Sequence, residues 1–199
     1  MEMTGEQMIP ASQQAVWDAL NDPEVLKACV PGCELIERVG ENEYQVLMVA
    51  RVGPVAARFK GRLALSDIQP PESYAITFEG QGGAAGFAKG GAKVRLVAEN
   101  PGTTRLAYEA KASVGGKLAQ IGSRLVDAAA RKVADDFFRN FNEKLSALHG
   151  QREMHKEEEH HAQSVPRDPD LPNVTSTTLA FFAGGALVVC IAALMVLLG

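Results

Sequence analysis

GKLAQIGSRLVDAAARKVADDFFRNFNEKLSAL, residues 116–148, decides the fold. Leu118, Ile121, Leu125, Ala129, Val133, Phe137, Phe141, Leu145 and Leu148 recur every three or four positions, with charged residues between them. At 3.6 residues per turn this period marks one amphipathic helix of about nine turns. A helix with a single apolar stripe must lay that stripe on something. The residues upstream supply the partner.

Strand-like segments precede the helix at 2–9, 33–39, 44–52, 55–68, 73–79, 88–99 and 103–113. The joints between the later ones carry turn residues: Gly40-Glu41-Asn42, Gly53-Pro54, Pro70-Pro71 and Asn100-Pro101-Gly102. Phe59, Gly61, Leu63 and Leu65 alternate with Arg58, Lys60 and Arg62, as a sheet with one polar face requires. Val94, Leu96 and Ala98 alternate in the same way with Lys93, Arg95 and Val97. Between the first two strands, Ser12 is an N-cap for a short helix through Val16, Trp17 and Leu20. Asp22-Pro23 opens a second helix that runs to Cys29. Residues 1–148 are therefore expected to form one α+β domain, an antiparallel sheet wrapped around a long C-terminal helix.

Such a wrap leaves room for a cavity where the facing residues are small, as Gly122, Ala128, Ala129 and Ala130 are. The expected cavity wall is Leu118, Ile121, Leu125 and Ala129. Its mouth is expected at the glycine-rich stretch 83–87, with Gly83, Gly86 and Phe87. That stretch follows Gly80-Gln81-Gly82, which gives the outline of a dinucleotide fingerprint. The fingerprint needs a helix N-terminus next to hold a pyrophosphate, whereas Ala88-Lys89 leads into another strand. A glycine-rich hairpin over the cavity mouth is the better reading.

The chain changes character after residue 148. Residues 149–178 hold three prolines, a Glu triplet and 6 acidic against 3 basic residues, the composition of a flexible acidic linker. Residues 179–199, LAFFAGGALVVCIAALMVLLG, carry no charge. Twenty-one apolar residues make a helix of about 31 Å, enough for one transmembrane helix. The first residues hold no basic leader and no long apolar run, so the expected location is the cytoplasmic membrane with the head on the cytoplasmic side.

Charge and chemistry narrow the function. The head balances 17 Lys and Arg against 18 Asp and Glu, which leaves no nucleic-acid footprint. It has no histidine before His149, so the commonest general base is missing. Asp135 and Asp136 are neighbours on a helix and point about 100° apart, so they do not share a proton. Cys29 and Cys33 form C-x3-C without a second pair, and reduced structural thiols are expected rather than a metal site. No catalytic residue, no metal and no covalent cofactor are expected. The cations Arg58, Lys60 and Arg62, with Lys93 and Arg95, are candidates for docking a membrane or an acidic partner, or are ordinary solubility charge.

Four segments carry a resemblance: PGCELIERV (31–39), VGPVAARFKGRLAL (52–65), PPESYAITFEGQGGAAGFAKGGAKVRL (70–96) and SVGGKLAQIGSRLVDAAARKVADDFF (113–138). In that order they resemble the carbon monoxide dehydrogenase CoxG family of the START-like, helix-grip (SRPBCC) superfamily. The resemblance implies a non-catalytic accessory protein. Its partner would be a cytoplasmic molybdenum-containing carbon monoxide dehydrogenase or a related molybdenum hydroxylase, brought to the membrane. It also implies an isoprenoid quinone or lipid in the grip cavity. The competing expectation is a purely structural membrane anchor with a solid head.

Removal of residues 179–199 is expected to leave a soluble, folded head. Sedimentation of the truncated chain with membranes after a high-salt wash would show that the tail is not the principal anchor.

Overall fold

The computed structural model describes residues 1–52 and 55–162, with side chains described as far as Leu148. The stretch read as a membrane helix, 179–199, lies outside the described residues, as does the linker beyond Ala162. Among the described residues no helix is long and apolar enough to cross a membrane.

The elements run β1 (Glu2–Ile9), α1 (Gln13–Leu20), α2 (Pro23–Cys29), β2 (Cys33–Arg38), β3 (Glu43–Val52), β4 (Val55–Gln69), β5 (Ser73–Gln81), β6 (Phe87–Asn100), β7 (Thr103–Gly115), α3 (Lys117–Gln120) and α4 (Ser123–Ala162). All seven strands form one antiparallel sheet in the order β1-β7-β6-β5-β4-β3-β2. The fold is thus the α+β wrap read from the sequence, with each strand within three residues of its expected bounds. β1 and β2, consecutive strands in the chain, stand at opposite edges of the sheet. The two short helices make that crossing.

Local chemistry sets their ends. The Ser12 hydroxyl accepts from the Ala15 N–H, and the Asp22 carboxylate accepts from Glu24 N–H at 2.9 Å, with Pro23 preset for the first turn of α2. Thr104, fully buried, donates its hydroxyl to the Ala11 carbonyl at 2.8 Å and ties the α1 entry to β7. Gln13 donates to the Leu96 carbonyl at 3.0 Å.

One face of the sheet is apolar. Cross-strand registers line up Leu65, Ile76, Ala92, Ala110 and Met3 in one row, and Tyr44, Leu63 and Phe78 in the next. α4 covers this face with Ala130, Ala134, Phe137, Phe138, Phe141 and Leu145, all buried in one core with the strands. The ring of Phe138 stacks on Tyr108 with centroids 5.7 Å apart, and Phe137 stacks on Phe141 at 5.5 Å. Asn140 donates to the Cys29 carbonyl at 3.0 Å, bracing α4 against the end of α2.

The structure differs from the expected nine-turn helix in two ways. Gly122 adopts φ +93, a conformation that breaks the helix and separates α3 from α4. α4 also runs on through Ala162 instead of stopping at 148.

The inward face of α4 is displaced as well. Four-residue steps advance about 400°, so a stripe spaced by fours precesses about 40° per step. Counted from Phe137, Val133 lies about 40° away, Ala129 about 80° and Leu125 about 120°. Their exposure follows: Val133 and Ala129 are half-buried and Leu125 is 52% exposed. Val126 and Ala130 lie only about 20° from Phe137 and take the inward places.

This geometry sorts substitutions on one helix. Phe141→Ala is expected to lower unfolding free energy by about 3–5 kcal/mol. Leu125→Ala should change it by no more than about 0.5 kcal/mol. Urea denaturation of the two variants checks the assignment; equal losses would refute it.

Candidate functional site

The expected cavity wall divides when it is placed on the fold. Leu118 on α3 is buried, Ile121 and Ala129 are partly buried against the core, and Leu125 turns outward. Phe87 begins β6 with the outward parity, opposite Gly115, and is 47% exposed. Leu125, expected in the wall, does not face the interior, and Phe87, expected at the mouth, lies on the outer side; their neighbours Val126 and Ala88 are buried. Sequence reasoning missed both residues; the 100° step of the helix and the alternation of β6 are the signals that find them.

Gly83 and Gly86 lie on the β5–β6 connection, a single 3-10 turn at Gly83–Ala85. The glycine-rich stretch is a hairpin, as its sequence implied. Gly86, at φ +121, meets β7 backbone to backbone, since a Cβ there would collide with the Gly115 carbonyl. Gly116, at φ +75, is pressed against Gly86 in the same way. The hairpin is therefore latched to the segment that enters α3, and its turn packs on α3.

Small residues do line the inner face. Gly61, Gly80 and Ala88 are register neighbours across β4, β5 and β6, and Ala92 and Ala110 follow on β6 and β7. Ala130 and Ala134 face them from α4 and are buried; Ala128 and Gly122 are exposed and take no part in the wall. Nearby rings occupy part of this space. A Cβ on Gly82 would strike the Phe59 ring, and one on Gly90 would lie 2.7 Å from the Phe78 ring. Phe59 is fully buried and Phe78 nearly so.

The five cations proposed for docking all lie on the outer face of the sheet. Arg58, Lys60 and Arg62 border a cleft of about 550 Å³ with Gln45, Leu47 and Glu79. Arg58 is paired with Glu34 at 2.9 Å. Arg62 stands opposite Glu79 and Lys93 opposite Glu109, while Arg95 stands between Ser73 and Ala107. Lys60 has Leu47 and Gln81 as its register neighbours. Of the five, Arg58 makes an ion pair, while Arg62 and Lys93 have only an acidic register neighbour.

Cys29 is buried and Cys33 half-buried, and both are free thiols. Burial pushes each up to about 11, since the thiolate loses its hydration. Among the described residues no three His, Cys, Asp or Glu side chains converge into a metal-binding group.

Residues 5–146 match the family model for CoxG, the G component of carbon monoxide dehydrogenase. None of the curated proteins matches. Among solved structures, a conserved protein from Geobacillus kaustophilus is similar at 29% identity and a TM-score of 0.70, over 74% of this chain and 96% of that one. A START superfamily protein from Mycobacterium smegmatis shares the fold at 12% identity and TM-score 0.58, over 74% of this chain and 98% of its own. The Zhui aromatase/cyclase of Streptomyces sp. R1128 does so at 12% identity and TM-score 0.55, covering 73% and 93%.

The raised thiols carry a pH signature. A group with a pKa near 11 stays protonated through neutral pH, so Cys29 and Cys33 should resist alkylation by iodoacetamide at pH 8. Unfolding in urea should restore the ordinary rate. Site-resolved mass spectrometry checks this; fast folded-state labelling of either thiol would overturn it.

Proposed function

The chain belongs to the carbon monoxide dehydrogenase CoxG family, and from that premise we propose how its head works. It is a non-catalytic accessory protein of carbon monoxide oxidation, tethered by residues 179–199 to the cytoplasmic membrane. It recruits the molybdenum-containing dehydrogenase and holds an isoprenoid quinone or lipid between α4 and the inner face of the sheet. The match over residues 5–146 carries this reading. The chemistry of the head agrees with it: an apolar inner face suits a polyprenyl chain, and the head lacks a histidine to run acid–base catalysis.

The accommodating region is the Ala-rich quarter where Ala88, Ala92 and Ala110 face Ala130 and Ala134, with Ala129 and Ile121 at its flank. The tether raises the effective concentration of the enzyme near the quinone pool, which is the physical gain of recruitment. Docking would use the outer face, where Lys60 has no acidic register neighbour.

One observation favours a second reading. The rings of Phe59 and Phe78 lie against Gly82 and Gly90, as in a solid core. On that reading the head is a structural anchor and only its surface functions.

Two measurements separate these readings. Organic extraction of the purified protein should yield an isoprenoid quinone or lipid, and Ala129→Trp should abolish its retention without unfolding the head. In a solid core the same change would cost about 1–3 kcal/mol through overpacking and release nothing. In a deletion strain, carbon monoxide dehydrogenase activity should move from the membrane to the soluble fraction and persist with an artificial acceptor. An unchanged membrane fraction would refute recruitment.

A further inference from the structure

Two stretches of the head carry cations and no carboxylate. One is 80–98, between Glu79 and Glu99; the other is 110–126, between Glu109 and Asp127. The fold brings them together at one end of the molecule. The Gly86–Gly116 contact joins the β5–β6 turn to the entry of α3, α3 packs on that turn, and α4 starts just past Gly122.

This end is apolar as well as cationic. Ala84, Phe87, Ala119 and Leu125 are exposed on it, and Phe87 and Leu125 are two of the five large apolar side chains that the described residues leave exposed, with Met8, Val39 and Leu148. Lys117 and Arg124, on the segment that enters α3 and α4, are exposed too. Among the described residues five cations are in ion pairs: Arg58 with Glu34, Lys111 with Glu2, Arg105 with Glu6 and Glu99, and Lys132 and Arg139 with Asp136. Lys117 and Arg124 enter no ion pair among the described residues.

We propose that this end of the head is a docking surface for a bilayer rich in anionic phospholipid. Phe87 and Leu125 enter the boundary between headgroups and acyl chains, while Lys117 and Arg124 meet lipid phosphates. Apolar side chains flanked by unpaired cations bind such an interface by burial and charge together. The proposal holds whether or not the grip contains a ligand, and it rests on the tail reading only for reach.

The reach sets the posture of the head. α4 has 40 residues, about 60 Å of helix. The 16 residues from 163 to 178 span at most about 55 Å when fully extended. A head standing upright on its α3 end would just outrun its own tether. With α4 inclined at about 45°, its far end stands only about 42 Å above the bilayer, and the contact is within reach.

The test uses the full-length chain in nanodiscs of phosphatidylcholine alone or of phosphatidylcholine mixed with phosphatidylglycerol. Hydrogen exchange read by mass spectrometry should slow at least about tenfold at 82–88 and 117–126 in the anionic discs alone. The protection should fade at about 0.5 M salt. Lys117→Glu with Arg124→Glu should weaken the contact by about thirtyfold or more, and Phe87→Ser should weaken it independently of salt. Equal exchange in both lipids would overturn the proposal. So would protection that appears only when the dehydrogenase is added, because the surface would then belong to a protein contact. Retention of the chain on both kinds of disc reports the tail separately, so failure of the tether and failure of this surface are distinguishable.

Discussion

A seven-stranded antiparallel sheet has one apolar face, and in this chain a single long helix must cover it. Everything else in the head answers to that requirement. The cover is made by the ring cluster Phe137, Phe138 and Phe141, with Tyr108 rising from β7 to stack on Phe138. Smaller residues, Ala134 and Ala130, continue the contact toward the α3 end. The sheet is thus packed most heavily at one end of α4 and most thinly at the other. α1 and α2 join the two edge strands, and the Asn140 amide clamps α4 to the α2 terminus.

Most of this architecture was legible in the sequence because its signals are local. Alternation along β4 and β6, paired turn residues and two capped short helices need only neighbours to be read. The facing of α4 was harder. A stripe of Leu125, Ala129 and Val133 looks continuous with Phe137, yet each four-residue step turns it farther from the core. The same reason explains why Leu125, a candidate for the interior wall, lies outside, and the two-residue alternation of β6 sets Phe87, the candidate for the mouth, on the outer side. The break at Gly122 depends on a positive φ that the residue permits but does not announce.

The candidate site illustrates a second kind of illegibility. Glycine and alanine in a sequence signal the absence of side-chain volume, and a cavity is one consequence of that absence. The neighbours settle the matter, and they come from other strands. Phe59 is far from Gly82 in the chain but lies against it in the fold, and Phe78 does the same at Gly90. The cation row behaves alike: Arg58 looks unanswered until Glu34 arrives from β2. Both the vacancy and the charge of a position are properties of the sheet's cross-strand register.

The length of α4 has a mechanical consequence. The helix leaves the sheet after Leu145 and continues as backbone helix to Ala162, so the head ends in a stiff rod rather than a frayed strand. A pull on the chain beyond that point runs along the axis of the rod. It loads Leu145, Phe141, Phe138 and Phe137 together with the Asn140 clamp, in shear, all at once. A strand at the sheet edge would instead be peeled one hydrogen bond at a time. Load along the chain is therefore borne by the most heavily packed part of the molecule.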